Sequence, residues 1–223
     1  METLNAIAFC GCPGVASDLE TLQNAVDALS LSCAVHGCES LAEGAAFLEA
    51  GPFLVIGYSR GCMKALQFAA MHPVRGVLLL SPHWGTPVSP WFRDLVRMPL
   101  VSSFLLSLLG RRALRQMIRK TCGSLVVPPA YAALENVYAQ PRVLRRCFLE
   151  PSFTREALEK VRSGVTAPVH VLVGEEDAAA QEASSMLSKV LSSRVPRAAH
   201  ALPWTHPEIC ALAIKNFFEE DRI

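Results

Sequence analysis

Gly57-Tyr58-Ser59-Arg60-Gly61 is the stretch of this sequence whose residue types and spacing point most directly to chemistry. Glycines two positions to either side of a serine allow the sharp strand-to-helix turn that lifts a hydroxyl clear of a sheet at a helix N-terminus. The apolar run Phe53-Leu54-Val55-Ile56 before it and Met63-Lys64-Ala65-Leu66 after it supply a strand and a helix, so Ser59 is read as a nucleophile rather than a helix cap. A serine hydroxyl attacks only when a base takes its proton. In strand–turn–helix serine motifs the acid and then the histidine follow along the chain. Gly174-Glu175-Glu176-Asp177 closes the apolar run Val169–Val173, and Asp177, where the loop turns inward, is the expected acid, with Glu176 as the alternative. Ala198-Ala199-His200 follows the last predicted strand and offers His200 as the base. His206 precedes Pro207 and Glu208, a helix start, and is expected to be structural. His36, His72, His83 and His170 precede the acid in the chain, and of these His83 is expected to line the pocket.

Acyl transfer also needs N–H donors aimed at a developing oxyanion. The amide of Arg60 is one candidate, and Cys10-Gly11-Cys12-Pro13-Gly14 has the tight-turn composition for the other, with Cys12 the expected donor. Gly11, His83 and Trp84 are expected at the substrate. Eight scattered cysteines, several inside apolar runs, make disulfides an unexpected default, and their spacing lacks the paired pattern of a zinc site, so neither metal nor cofactor is expected.

Short apolar runs alternate with helical patterns, the rhythm of βαβ units around a parallel sheet. Strands are expected at Leu4–Cys10, Leu31–His36, Phe53–Tyr58, Gly76–Ser81, Val169–Gly174 and Ser193–Ala198. Helices are expected at Asp18–Ser30, Leu41–Ala50, Ser59–Met71, Ala178–Leu191 and Pro207–Glu219. Between Trp84 and Phe153 the patterns are helical and rich in proline, which reads as a cap (84–153) inserted into a core formed by 1–83 and 154–223. Pro99–Leu109 is apolar but too short to span a bilayer; a buried cap helix is the expectation and a membrane-surface helix the minority alternative.

With 223 residues, 51% hydrophobic and 18% charged, and a net charge of +1, the chain fits a globular enzyme and not a disordered or nucleic-acid-binding protein. The opening residues lack a basic flank and a small-residue cleavage site, so a cytoplasmic location is expected and a membrane partner is not. Charge is unevenly placed: residues 84–164 hold 13 basic and 5 acidic side chains, a net +8 against −7 elsewhere. Such a face either attracts an acidic partner or solvates helices.

Together, Gly57-Tyr58-Ser59-Arg60-Gly61, Gly174-Glu175-Glu176-Asp177 and Ala198-Ala199-His200, with a helical insertion between the first two, resemble the α/β-hydrolase superfamily along nearly the whole chain. Ala199-His200-Ala201 followed by His206-Pro207-Glu208 and Cys210 is most similar to the pimeloyl-[acyl-carrier protein] methyl ester esterases of biotin synthesis. That resemblance implies a serine carboxylesterase whose basic cap docks an acyl carrier protein, with Arg142, Arg145 and Arg146 holding the carrier. The chain departs from the pattern in Cys10-Gly11 for His-Gly, in Cys62 for a glycine, in Arg60 for an apolar residue, and in starting at the oxyanion-loop strand without the N-terminal hairpin. A thioesterase, a short-chain esterase and a catalytically silent interaction protein stand as alternatives.

Overall fold

In the computed structural model, residues 4–11, 19–48, 53–85 and 89–219 are described. Six strands form one all-parallel sheet in the order β2-β1-β3-β4-β5-β6: β1 (Leu4–Phe9), β2 (Cys33–Cys38), β3 (Phe53–Tyr58), β4 (Gly76–Leu80), β5 (Val169–Gly174) and β6 (Leu191–Val195). The continuous apolar character of β3 and β4 follows from this position, since every residue of both strands is buried. Alternate side chains serve opposite faces. Ala6, Ala8, Leu54, Ile56, Leu78 and Leu80 pack with α1 (Glu20–Ala28) and α12 (Pro207–Glu219). Ile7, Phe9, Val55, Val77, Leu79 and Val171 pack with α3 (Gly61–Met71), α9 (Arg155–Ser163) and α10 (Ala178–Ser185) on the other. A short α2 (Leu41–Ala45) caps its first turn with Ser40.

Strand order reverses direction between β1 and β3, and in open parallel sheets the crevice at the carboxyl ends of such a pair is where ligands bind. Gly11 and Ser59 stand there.

Edges moved relative to the sequence reading. β2 lies two residues later than expected, β6 two to three earlier, α2 ends at Ala45 and α10 at Ser185 rather than Leu191. Between β4 and α9 the regular elements among the described residues are helices: α4 (Pro90–Arg97), α5 (Pro99–Thr121), α6 (Pro129–Ala133), α7 (Glu135–Tyr138) and α8 (Pro141–Leu149). Prolines at the first helical position start α4, α5, α6 and α8, where the missing N–H costs no bond. The expectation of a buried cap helix over Pro99–Leu109 holds on one face only. Leu106 is buried, but Phe104 and Leu108 are exposed, because only one stripe of α5 packs on α8 and α4. Among the cysteines, Cys33, Cys38, Cys62, Cys122 and Cys210 are free and buried and Cys10 is buried, whereas Cys147 is disulfide-bonded, against the expected default.

Candidate active site

The turn between β3 and α3 holds Ser59 at φ +53°, in the left-handed region that side chains avoid. What keeps it there is the fit of its neighbours. A β-carbon on Gly57 would lie 2.5 Å from the Cys62 Cα, and one on Gly61 would overlap the Phe9 carbonyl oxygen, so helix and strand approach too closely for any side chain. The Ser59 amide donates to the Leu80 carbonyl at 2.9 Å, and its own carbonyl accepts from Cys62 and His83. Cys62 takes the place of a glycine without loss of fit: its thiol donates to the Gly57 carbonyl at 3.2 Å, and burial pushes it well above the ordinary thiol range, so it is no rival nucleophile.

His200 reaches this turn from the loop after β6. Its Nε2 stands 2.9 Å from Ser59 Oγ, and its Nδ1 stands 2.6 Å from Asp177 Oδ2. Asp177 is also the N-cap of α10, accepting from the Ala180 amide at 3.1 Å through its other oxygen. Burial alone would raise this carboxyl, but the hydrogen bond and charge of His200, together with that amide, outweigh it and hold Asp177 below its ordinary value. An ionised carboxylate can only accept, so Nδ1 carries the proton and Nε2 is left to accept from the serine hydroxyl. The arrangement is able to take a proton from Ser59 while a carboxylate stabilises the resulting imidazolium. His83 lies beside it, its ring 6.3 Å from that of His200; burial first, and then the nearby charges of His200 and Arg60, lower its proton affinity and keep it neutral.

Glu176, the alternative acid, is turned elsewhere. Its oxygens accept from the Ser124 hydroxyl at 2.8 Å and the Ser124 amide at 3.1 Å, tying the end of α5 to the body. His206 contacts Thr205 and closes α11 (Leu202–Thr205), away from the serine.

A β-carbon built on Gly11 would be 2.7 Å from Ser59 Cβ, so the loop after β1 runs directly against the serine, where an oxyanion donor has to stand. Cys12 lies outside the described residues. Arg60 supplies its amide at the first turn of α3 and uses its side chain for something the sequence did not signal. Its side chain is 4% exposed, and the guanidinium donates to Glu150 at 2.9 Å, to the Pro151 carbonyl at 2.6 Å and to the Gly85 carbonyl. It thereby holds both ends of the inserted helices against the turn.

These groups open on a cavity of about 550 Å³ lined by Gly11, His83, Met117, Tyr131, Ala179 and Trp204 besides the residues already named. Trp204 stacks on Tyr131 at 4.3 Å and meets Tyr58 edge-on at 5.2 Å, giving the cavity an aromatic wall. Trp84 is not part of it, which corrects the expectation: it is buried on the far face, where its indole N–H donates to the Ala183 carbonyl at 2.8 Å. Nor do the three arginines of α8 line the cavity. Arg142 contacts Gln140, Arg145 holds the carbonyls of Val96 and Arg97, and Arg146 pairs with Glu39 at 2.8 Å. Tyr131, Met117 and Trp204 went unnoticed in the sequence. Trp204, four residues after His200, carried a usable signal; Tyr131 and Met117, in a distant insertion, carried none.

A family model described as Alpha/beta hydrolase family matches residues 10–213. No curated protein matches the sequence. Among solved structures, the chain is similar to carboxylesterase CesB (YbfK) from Bacillus subtilis, at 17% identity and TM-score 0.67 over 97% of this chain and 84% of that one. It is similar also to a thermophilic esterase from Thermogutta terrifontis, at 17% identity and TM-score 0.70 over 97% and 90%. A third is the proline iminopeptidase of Mycobacterium smegmatis, at 17% identity and TM-score 0.64 over 98% and 90%. At such identities the likeness carries the fold alone.

Proposed function

The chain belongs to the Alpha/beta hydrolase family, and from that premise we propose that it is a serine hydrolase of carboxylic esters with Ser59 as nucleophile, His200 as general base and Asp177 as the orienting acid. The observation that carries this reading is the continuous run of short contacts, 2.9 Å from serine to imidazole and 2.6 Å from imidazole to carboxylate, at the floor of an apolar cavity. Ser59 Oγ attacks the acyl carbon as its proton passes to His200 Nε2. The tetrahedral oxyanion meets the Arg60 amide and the loop that follows β1. Collapse returns the proton from His200 to the leaving alcohol, and water then repeats the sequence on the acyl-enzyme. The Tyr131–Trp204 wall suits an apolar acyl chain better than a polar one.

The narrower substrate, a pimeloyl methyl ester on acyl carrier protein, draws support from the +8 charge of residues 84–164. A thioester substrate fits the same residues. Fluorophosphonate labelling, followed by hydrolysis rates on free and carrier-linked methyl esters and thioesters, tests the set. Ser59→Ala is expected to abolish labelling and to reduce ester turnover by about 10³-fold or more with the fold retained by circular dichroism. A labelled Ser59→Ala protein would exclude the nucleophile, and an unreactive wild type would favour an interaction protein.

A further inference from the structure

Helix α5 departs from an ordinary surface helix in how its residues are distributed. Over Pro99–Thr121 it carries five basic residues, Arg111, Arg112, Arg115, Arg119 and Lys120, and no acidic one, all in its second half. Its first half exposes large apolar side chains: Phe104 is 70% and Leu108 67% exposed, and they stand one turn apart on the same face. Steps of three and four positions continue that face through Arg111, Arg115 and Arg119, all exposed. Just before it, Met98 at the joint with α4 is 53% exposed and Trp91 in the first turn of α4 is 70% exposed. Four large apolar groups in water within one short stretch of chain are a cost that isolated surface residues do not explain.

We propose that the α4–α5 face docks on the surface of an anionic phospholipid membrane. Apolar side chains followed along one helix face by arginines match a bilayer met obliquely: Phe104, Leu108 and the neighbouring Met98 and Trp91 enter the acyl boundary, while Arg111, Arg112 and Arg119 lie among the phosphates and Arg115 stays paired with Glu135 at 2.7 Å. From Leu108 to Arg119 the helix rises roughly 16 Å, enough to carry the arginines out of the apolar layer and along the headgroups. The docking is peripheral, because no helix among the described residues is long and apolar enough to cross a membrane. An acidic carrier protein would satisfy the arginines but leave the four apolar groups in water. The other end of the same helix supplies Met117, Lys120 and Thr121 to the cavity, so a docked molecule presents the cavity mouth close to the headgroups. This inference stands on the helix face and holds whether or not Ser59 is the nucleophile.

The test is flotation of the full chain with vesicles of phosphatidylcholine alone or containing about a third phosphatidylserine. Wild type is expected to float with the anionic vesicles and far less with the neutral ones. The double variant Phe104→Ser, Leu108→Ser is expected to lose about tenfold or more of its binding, and Arg111→Glu, Arg112→Glu to lose the preference for phosphatidylserine. Both should keep the wild-type circular-dichroism spectrum and thermal unfolding midpoint, which shows that they fold whether or not the protein hydrolyses esters. Failure of wild type to float would overturn the proposal, as would binding indifferent to the Phe104/Leu108 change. So would a wild-type dimer that becomes monomeric in that variant, or capture of apo acyl carrier protein by this face without any vesicle binding.

Discussion

Arg60 follows the candidate nucleophile, and its backbone and side chain face different demands. The amide is the proposed oxyanion donor, while the buried guanidinium satisfies a carboxylate and two carbonyls at once. A planar fork with five donors can do this and an ammonium cannot. Arg60→Met would leave Glu150 with only the more distant Lys64, 3.9 Å away; its side chain is 27% exposed, so the loss is softened by water and is expected to be on the order of 2 kcal/mol in urea unfolding. Arg60→Lys is expected to recover only part of that stability. Because the same residue carries the amide, both variants should lower kcat on a soluble ester more than they raise KM; unchanged kcat in Arg60→Met would show that the amide is held without the side chain.

Among the elements, the β3–α3 turn is where local sequence and tertiary packing agree most closely. Gly61 is there because the Phe9 carbonyl leaves no room for a β-carbon, and Gly61→Ala should cost about 1–3 kcal/mol, read as a fall in the urea midpoint. Activity should fall with it, since pushing α3 away from β1 moves Ser59. The buried strands β3 and β5 and helix α12 were legible to the residue, because continuous burial writes a continuous apolar run and Pro207 marks a helix start. The edge strands were not. In β2 and β6 most residues are at least partly exposed, so the apolar signal that marks a strand fades and its limits shift. The same logic divides the site. Ser59, Asp177 and His200 lie at the ends of elements whose patterns are strong. The aromatic wall depends on how the inserted helices fold back, which no local pattern encodes, and Trp84 was misplaced because a bend after Ser81 sends it to the opposite face of the sheet.

Across the whole molecule, ties besides Arg60 hold the inserted helices to the body among the described residues. Glu176 holds Ser124, the Ala201 amide donates to the Thr121 carbonyl at 2.9 Å, and Arg146 pairs with Glu39. Two of these lie next to Asp177 and His200, so the end of α5 is fixed to the residues that contact Ser59. Glu176→Ala is expected to loosen the cavity wall and raise KM for an acyl ester a few-fold while kcat stays within about twofold. Asp177→Asn, by contrast, should cost roughly 10⁴-fold in kcat by favouring the wrong tautomer of His200. A kcat loss in Glu176→Ala matching that of Asp177→Asn would mean the two carboxylates had been assigned the wrong way round.

The contact between Ser59 and His200 joins positions 141 apart in the chain, across a sheet whose every pairing is parallel. Parallel pairing closes long loops before any contact rewards them, so such sheets assemble slowly. If Ser59 is the nucleophile, its reactivity toward a phosphonate is expected to serve as a stopwatch for refolding: silent in a collapsed chain with its helices already formed, and starting only when the last strand has delivered its histidine.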